Sequence, residues 1–218
     1  MLKKRGRAVF LCKMPFLFER GSKEESRKAF FKRVSLFLSA EDPRYKEIEK
    51  AYDCAERALE GKFRDGGERS FSHSRATALI LIACSRVRDY HLIIAGLLHD
   101  IVEDCPEWTV ELVEQKFGAY VAMLIGYLTR PPRWKFVSRE VYGRAYHLQF
   151  RFAPRDFFLI KLADRLHNMT TLGPCSHAKQ IRQIEETRKY YLPYAKKYRI
   201  LVREIEEALD QAEANLKQ

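Results

Sequence analysis

The segment that most constrains the fold lies between Tyr90 and Glu103, where His91, Leu92, Ile93, Ile94, Ala95, Gly96, Leu97 and Leu98 follow one another. A helix apolar on nearly every face has no side to turn to water, so it belongs in the centre of a bundle. The flanking stretches read as the helices that cover it. Ser22 to Leu38 is amphipathic. Asp42-Pro43 offers an N-cap and a proline at the first helical position, opening a helix to about Leu59 that Gly61 ends. Phe63 to Ser72 reads as a loop carrying Gly66-Gly67, and a helix covers about His73 to Arg86. Thr109 caps a helix to Phe117, and another runs from Ala119 to Leu128. Pro131-Pro132 interrupts the pattern, leaving Arg130 to Phe136 as a basic, aromatic loop. Helices follow at about Ser138 to Phe150 and Arg155 to Thr171. Ser176 caps a last helical stretch, broken at Pro193 and ending near Leu216. Ten glycines and 8 prolines in 218 residues are few for a turn-rich β protein, so the expected class is all-α, a compact helical bundle.

With 46% hydrophobic residues the chain has material for one real core. Five cysteines, an odd number with no pair at CxxC spacing, make a disulfide framework or a thiolate zinc site unexpected. Reduced thiols in the cytoplasm are the plain reading. Basic Met1 to Arg7 followed by apolar Ala8 to Phe18 mimics an export signal, but Lys13 interrupts it and no small-residue cleavage site follows. No apolar run reaches membrane-spanning length. The net charge of +11 is uneven: residues 1–40 hold eleven Lys/Arg against three acids, a net of +8. The sequence therefore divides into a basic N-terminal extension with a helix, residues 1–40, and a helical domain, residues 41–218. The extension reads as a solvated tail and helix face, with contact to nucleic acid, ribosome or an acidic partner as the alternative.

Chemistry concentrates in three places. His99-Asp100 closes the central apolar segment, with Glu103 and Asp104 one turn on. If the helix continues, His99 stacks over Glu103 and Asp100 over Asp104, a clustering that is costly unless a cation neutralises it. His73 follows the glycine loop, and Asp164 sits at the end of the apolar run Phe157 to Ala163. Two imidazoles and two carboxylates make a mixed N/O shell suited to Mn2+, Fe2+ or Zn2+ with water in the remaining positions. Glu103 stands where it could move a proton. Asn168 and Thr171, four and seven residues after Asp164, share its helix face and could hydrogen-bond a nucleotide.

The order His73, then His99-Asp100, then Asp164 resembles the signature of HD phosphohydrolases, and the resemblance goes further. HDIVED, His99 to Asp104, and KLADRLHNMTTL, Lys161 to Leu172, resemble the hydrolase domain of RelA/SpoT-type enzymes. FRDGGERSFSH, Phe63 to His73, is similar to that family's access loop, and IEETRKYYLPYA, Ile184 to Ala195, to its helix after the active site. The likeness covers roughly residues 45–200. It implies an HD-domain helical bundle acting as a small alarmone hydrolase, with His73, His99, Asp100 and Asp164 holding a divalent metal, usually Mn2+. It implies Glu103 and Asp104 as the catalytic acidic pair, Arg64 packing on the substrate base, and Asn168 and Thr171 contacting the nucleotide. The reaction implied is removal of the 3′-pyrophosphate of (p)ppGpp, giving GDP or GTP and pyrophosphate. Adenosine analogues such as (p)ppApp, or the 2′-phosphate of NADPH, remain alternatives, as does a non-catalytic HD fold that binds nucleic acid or ribosome. A partner alarmone synthetase, with this chain as antitoxin, is compatible. Asp65-Gly66 stands where family members often have Lys-Ser, and Ser74 replaces a usual proline. The missing cation could come from Arg69 or from Arg130, Arg133 and Lys135. Larger members continue into a synthetase domain where this sequence stops, so synthesis is not expected.

Several residues have plainer readings. Arg165 is the expected ion-pair partner of Asp164, and His167 is expected to be structural. His91, His147 and His177 carry no motif. Trp134 reads first as a loop anchor and second as a stacking surface for a base. A phosphate role for Arg182 and a role for Cys105 are both weak readings.

Overall fold

The computed structural model describes residues 26–216, and every regular element among them is helical. α1 spans Arg27–Val34, capped by Ser26, whose Oγ accepts the Ala29 N–H at 3.0 Å. The first residues of that expected helix lie outside the described part. α2 spans Pro43–Ala58, with Asp42 as N-cap accepting from the Arg44 N–H at 2.8 Å. α3 is Ser70–Ala83 and begins three residues before the predicted start, so the loop ahead of it is shorter and His73 stands inside the first turn. α4 is Tyr90–Leu98, α5 the single turn Ile101–Asp104, α6 Val110–Phe117 and α7 Ala119–Leu128. Thr109 caps α6 as expected, accepting from the Leu112 N–H at 3.2 Å.

After a 3-10 turn at Arg133–Lys135 come α8, Arg139–Leu148, capped by Ser138, and α9, Arg155–Thr170. α10 is His177–Glu186. It runs on through a π-helical turn, Thr187–Tyr191, into α11, Leu192–Tyr198. Pro193 thus falls in the opening turn of α11, directly after the π-helical turn, and the break expected there is a change of helical pitch. α12, Val202–Leu216, closes the bundle against α9, α10 and α11.

The centre is where the apolar run put it. Residues Leu92 to Leu98 of α4 are all buried, and the helix packs against α2, α3, α7 and α9. α3 is nearly as enclosed, with Ala76 to Ile82 buried throughout. The two central helices approach closely at Gly96, where a Cβ would meet Leu81 Cδ1 at 2.8 Å and Ala78 Cα at 3.5 Å. α1 also belongs to this core: Phe30, Phe31 and Val34 are buried, with Phe30 and Phe31 against Tyr52. Cys54, Cys105 and Cys175 are free thiols, whereas Cys84 is disulfide-bonded, against the expectation of reduced cysteines. No helix among the described residues is long and apolar enough to cross a membrane.

Candidate metal centre and nucleotide pocket

Three central elements aim polar groups at one point. α3 contributes His73, the C-terminus of α4 contributes His99, and α9 contributes Asp164; the three side chains are 2%, 1% and 5% exposed. His73 Nε2 lies 3.1 Å from Asp164 Oδ1 and 3.1 Å from His99 Nε2. Asp100 Oδ2 adds a fourth donor, 3.2 Å from His99 Nε2 and 3.5 Å from His73 Nε2. Neighbouring ligands of an octahedral ion with bonds of about 2.1 Å stand about 3 Å apart. The spacing of these four donors therefore fits a single divalent cation, and His73, His99 and Asp164 make a group able to hold one.

The expected continuous helix from Tyr90 to Glu103 is broken instead. His99 Nδ1 donates to the Gly96 carbonyl at 2.9 Å, occupying an acceptor of the last turn and leaving Nε2 with a lone pair for the cluster. Asp100 then takes φ −102° and ψ −1° and starts α5, so its carboxylate swings toward the histidines. Glu103 and Asp104 hang from that short turn through backbone bonds to Asp100 O, at 3.1 and 2.9 Å. Glu103 Oε1 accepts the Arg130 backbone N–H at 2.8 Å, tying it to the loop after α7.

The charges favour a cation. Burial works against a proton on His99, but Asp100 and then Asp164 overrule it and push its pKa up to about 9. Burial and the Arg64 charge drive His73 down to about 4. Burial raises the Asp164 carboxyl, yet Lys161 and His73 hold it well below the carboxylate range. Burial and the Asp100 charge raise both Glu103 and Asp104, making each a better proton acceptor than a free carboxylate, although both open to solvent.

Asp164 is not paired as expected. Lys161, buried and three residues earlier on α9, places its ammonium 2.9 Å from Asp164 Oδ2. Arg165 is one residue on, rotated about 100° round the helix. It points away, donating to Gln183, reaching Glu186 at 3.7 Å and stacking 3.8 Å over Tyr191. Asn168, one turn later, donates to Asp164 Oδ1, the oxygen that also faces His73.

Beside this cluster opens a cavity of 560 Å3 lined by Arg64, Asp65, Glu68, Arg69, Asn168, Thr171, Lys179 and Gln183, among others. Its near wall is a tight turn in which the Gly67 N–H donates to Arg64 O at 2.8 Å and Gly67 takes φ +78°, a conformation that glycine adopts without strain. Of the residues expected to touch a nucleotide, Arg64, Asn168 and Thr171 all face this cavity, and Arg64 donates to Asn168. Thr171 Oγ1 donates to His167 O at 2.9 Å. Glu103 and Asp104 do not line it.

Sequence reasoning missed Glu68, Lys179 and Lys161. Lys179 reaches Asp65 at 2.7 Å, so a cation stands at the pocket mouth near position 65, supplied by α10. Arg69 also lines the cavity, as one of the two suggested sources, whereas Arg133 folds back on Phe136 O. Trp134 is 81% exposed, with the Lys135 ammonium 5.4 Å from its ring, and is not buried as a loop anchor would be.

A helical bundle with H, HD and D donors meeting at one point defines a class of metal-site protein. The sequence matches the family model for the HD domain over residues 51–200, and the chain belongs to that family. It is 37% identical over 153 residues to the bifunctional (p)ppGpp synthase/hydrolase SpoT of Escherichia coli, an alignment spanning 69% of this chain and 21% of that protein. It is 38% identical over 141 residues to the guanosine-3′,5′-bis(diphosphate) 3′-pyrophosphohydrolase of Haemophilus influenzae, over 63% of this chain and 20% of that protein. The chain thus spans about a fifth of the length of these curated relatives. Among solved structures, one of a metazoan ortholog of SpoT that hydrolyzes ppGpp superposes with a TM-score of 0.57 at 23% identity. It covers 76% of this chain and 94% of the other, a likeness of fold.

Proposed function

We propose that this protein is a metal-dependent phosphohydrolase that removes the 3′-pyrophosphate of (p)ppGpp, yielding GDP or GTP and pyrophosphate, with Mn2+ as the working ion. The observation that carries the reading is the meeting of His73, His99, Asp100 and Asp164 beside a cavity large enough for a nucleotide. The similarity to named (p)ppGpp hydrolases over the same residues supports the choice of substrate.

A divalent cation held by these four side chains would supply Lewis-acid activation at the scissile phosphoryl group. The chain supplies the rest. Arg64 offers its guanidinium face to the base, and Asn168 and Thr171 offer hydrogen bonds to the nucleoside. Glu103, with its raised proton affinity, takes the proton of the attacking water, and Asp104 beside it shares that negative rim. Lys161 holds Asp164 ionised and oriented.

The test is a panel of phosphorylated nucleotides, (p)ppGpp, (p)ppApp and NADPH, incubated with Mn2+-loaded protein, with Asp100→Ala and Glu103→Ala as controls. Mn2+-dependent pyrophosphate release from ppGpp, lost in both controls, is expected. Preference for an adenine nucleotide would move the substrate. No turnover of any, with retention on RNA that falls steeply with salt, would replace the hydrolase by a binding protein.

A further inference from the structure

We propose that His167, backed by Glu68, is a positioning residue that fixes which nitrogen of His73 faces the metal, an inference that rests on the metal-centre reading above. His73 turns Nε2 to the cluster, 3.1 Å from both Asp164 Oδ1 and His99 Nε2. A nitrogen that ligates must carry a lone pair, so the His73 proton belongs on Nδ1 and needs an acceptor. That acceptor is His167 Nδ1, at 2.7 Å.

The tautomer of His167 is set in turn by its surroundings. The Arg64 guanidinium approaches His167 Nδ1 at 3.5 Å, and a cationic donor on that side excludes a proton there. Two donors, His73 Nδ1–H and Arg64, therefore converge on one lone pair. The His167 proton sits on Nε2, which faces Glu68 Oε1 at 3.6 Å, an electrostatic contact longer than a hydrogen bond. Glu68 is held in place by Arg64 at 3.1 Å. Glu68, His167 and His73 thus line up behind the metal site, the two rings hydrogen-bonded and the carboxylate in electrostatic contact. Outer partners of this type orient a metal histidine and raise its basicity. Two of its supports, Glu68 and Arg64, also line the nucleotide cavity, so a substrate that disturbs their pairing acts on a metal ligand two residues away. A histidine that merely fills core volume has no need of these donor and acceptor roles.

The experiment measures Mn2+ affinity by electron paramagnetic resonance of the free ion, for the wild type, His167→Phe and His167→Gln. Phenylalanine keeps the volume and removes the acceptor; glutamine keeps an oxygen acceptor. Binding should weaken about 10- to 100-fold in His167→Phe and recover most of the way in His167→Gln. The metal-free melting temperatures of the two variants should not follow that order. Equal Mn2+ affinity in wild type and His167→Phe overturns the proposal, as does equal weakening in both variants. Nitrogen-15 NMR of the zinc-loaded wild type supplies a measurement free of folding defects. It should find His73 protonated on Nδ1 and His167 on Nε2, and a proton on His167 Nδ1 overturns the proposal. If the wild type itself binds no Mn2+, the metal-centre reading is what fails. If the wild type binds and His167→Phe binds equally, the loss is confined to His167.

Discussion

Replacing Lys161 by methionine removes the buried ammonium behind Asp164 while nearly keeping its length and volume. The pair is 2.9 Å apart, with side chains 4% and 5% exposed, so little solvent screens it. At an effective dielectric of about 20, two unit charges at that separation attract by about 6 kcal/mol. Relief of the lysine's own desolvation offsets part of this, and breaking a buried pair from one side typically costs about 3–5 kcal/mol. We therefore expect metal-free Lys161→Met to lose about 3 kcal/mol of stability, which for a domain of this size lowers Tm by roughly 6–12 °C. Urea denaturation of wild type and variant, at neutral pH with chelator present, measures it. Saturating Mn2+ should stabilise the variant, because a cation at the cluster replaces part of the missing counter-charge. A metal-free loss under 1 kcal/mol would show that Asp164 does not depend on Lys161, and the account of its electrostatics given above would be wrong.

Asp164→Asn is expected to lower metal occupancy and turnover together, and metal analysis of the purified variant that finds a full complement would remove Asp164 from the ligands. Glu103→Gln is expected to keep the metal and lose about 10²–10⁴-fold in kcat, with a fully active variant excluding Glu103 as proton acceptor. Removing residues 1–40 takes Phe30, Phe31, Val34 and Leu38 out of the core, a loss of roughly 6 kcal/mol or more that should abolish cooperative unfolding. His147 is buried, stacked 3.9 Å from Tyr190, and burial followed by the Arg165 charge lowers its pKa to about 3. Its folded value lies below the unfolded one near 6.5, so its contribution is full above about pH 6.5. That contribution fades by about 1.4 kcal/mol per pH unit as pH falls toward 3. The difference in unfolding free energy between wild type and His147→Phe, followed from pH 7 to pH 4, should change with that slope; parallel curves would contradict it.

Much of this was legible because helices announce themselves locally. Asp42 and Thr109 cap where their side chains said they would, and the apolar stretch around Ile94 occupies the centre. His73, His99, Asp100 and Asp164 could be gathered from the motif before any coordinates. The partner of Asp164 could also have been found: residues three apart on a helix share a face and adjacent ones do not, so Lys161 was the better choice than Arg165. The same rule places His167 near Asp164. What spacing could not give was the neighbour across the bundle. The contact of His73 with His167 and that of Asp65 with Lys179 join residues 94 and 114 positions apart. The break at Asp100 was equally hidden, because it depends on a side chain capturing the Gly96 carbonyl and on a carboxylate drawn toward two histidines.

Gly96 links the packing of the two central helices to the candidate metal centre. His99 lies one turn beyond it on α4 and binds its carbonyl, and His73 belongs to the helix that presses Leu81 and Ala78 against it. A methyl group there would meet Leu81 Cδ1 at 2.8 Å and make that side chain give way, while Ala78 stays at ordinary contact distance. One core glycine is thus joined to both histidines of the site, to His99 through its carbonyl and to the helix of His73 through close packing.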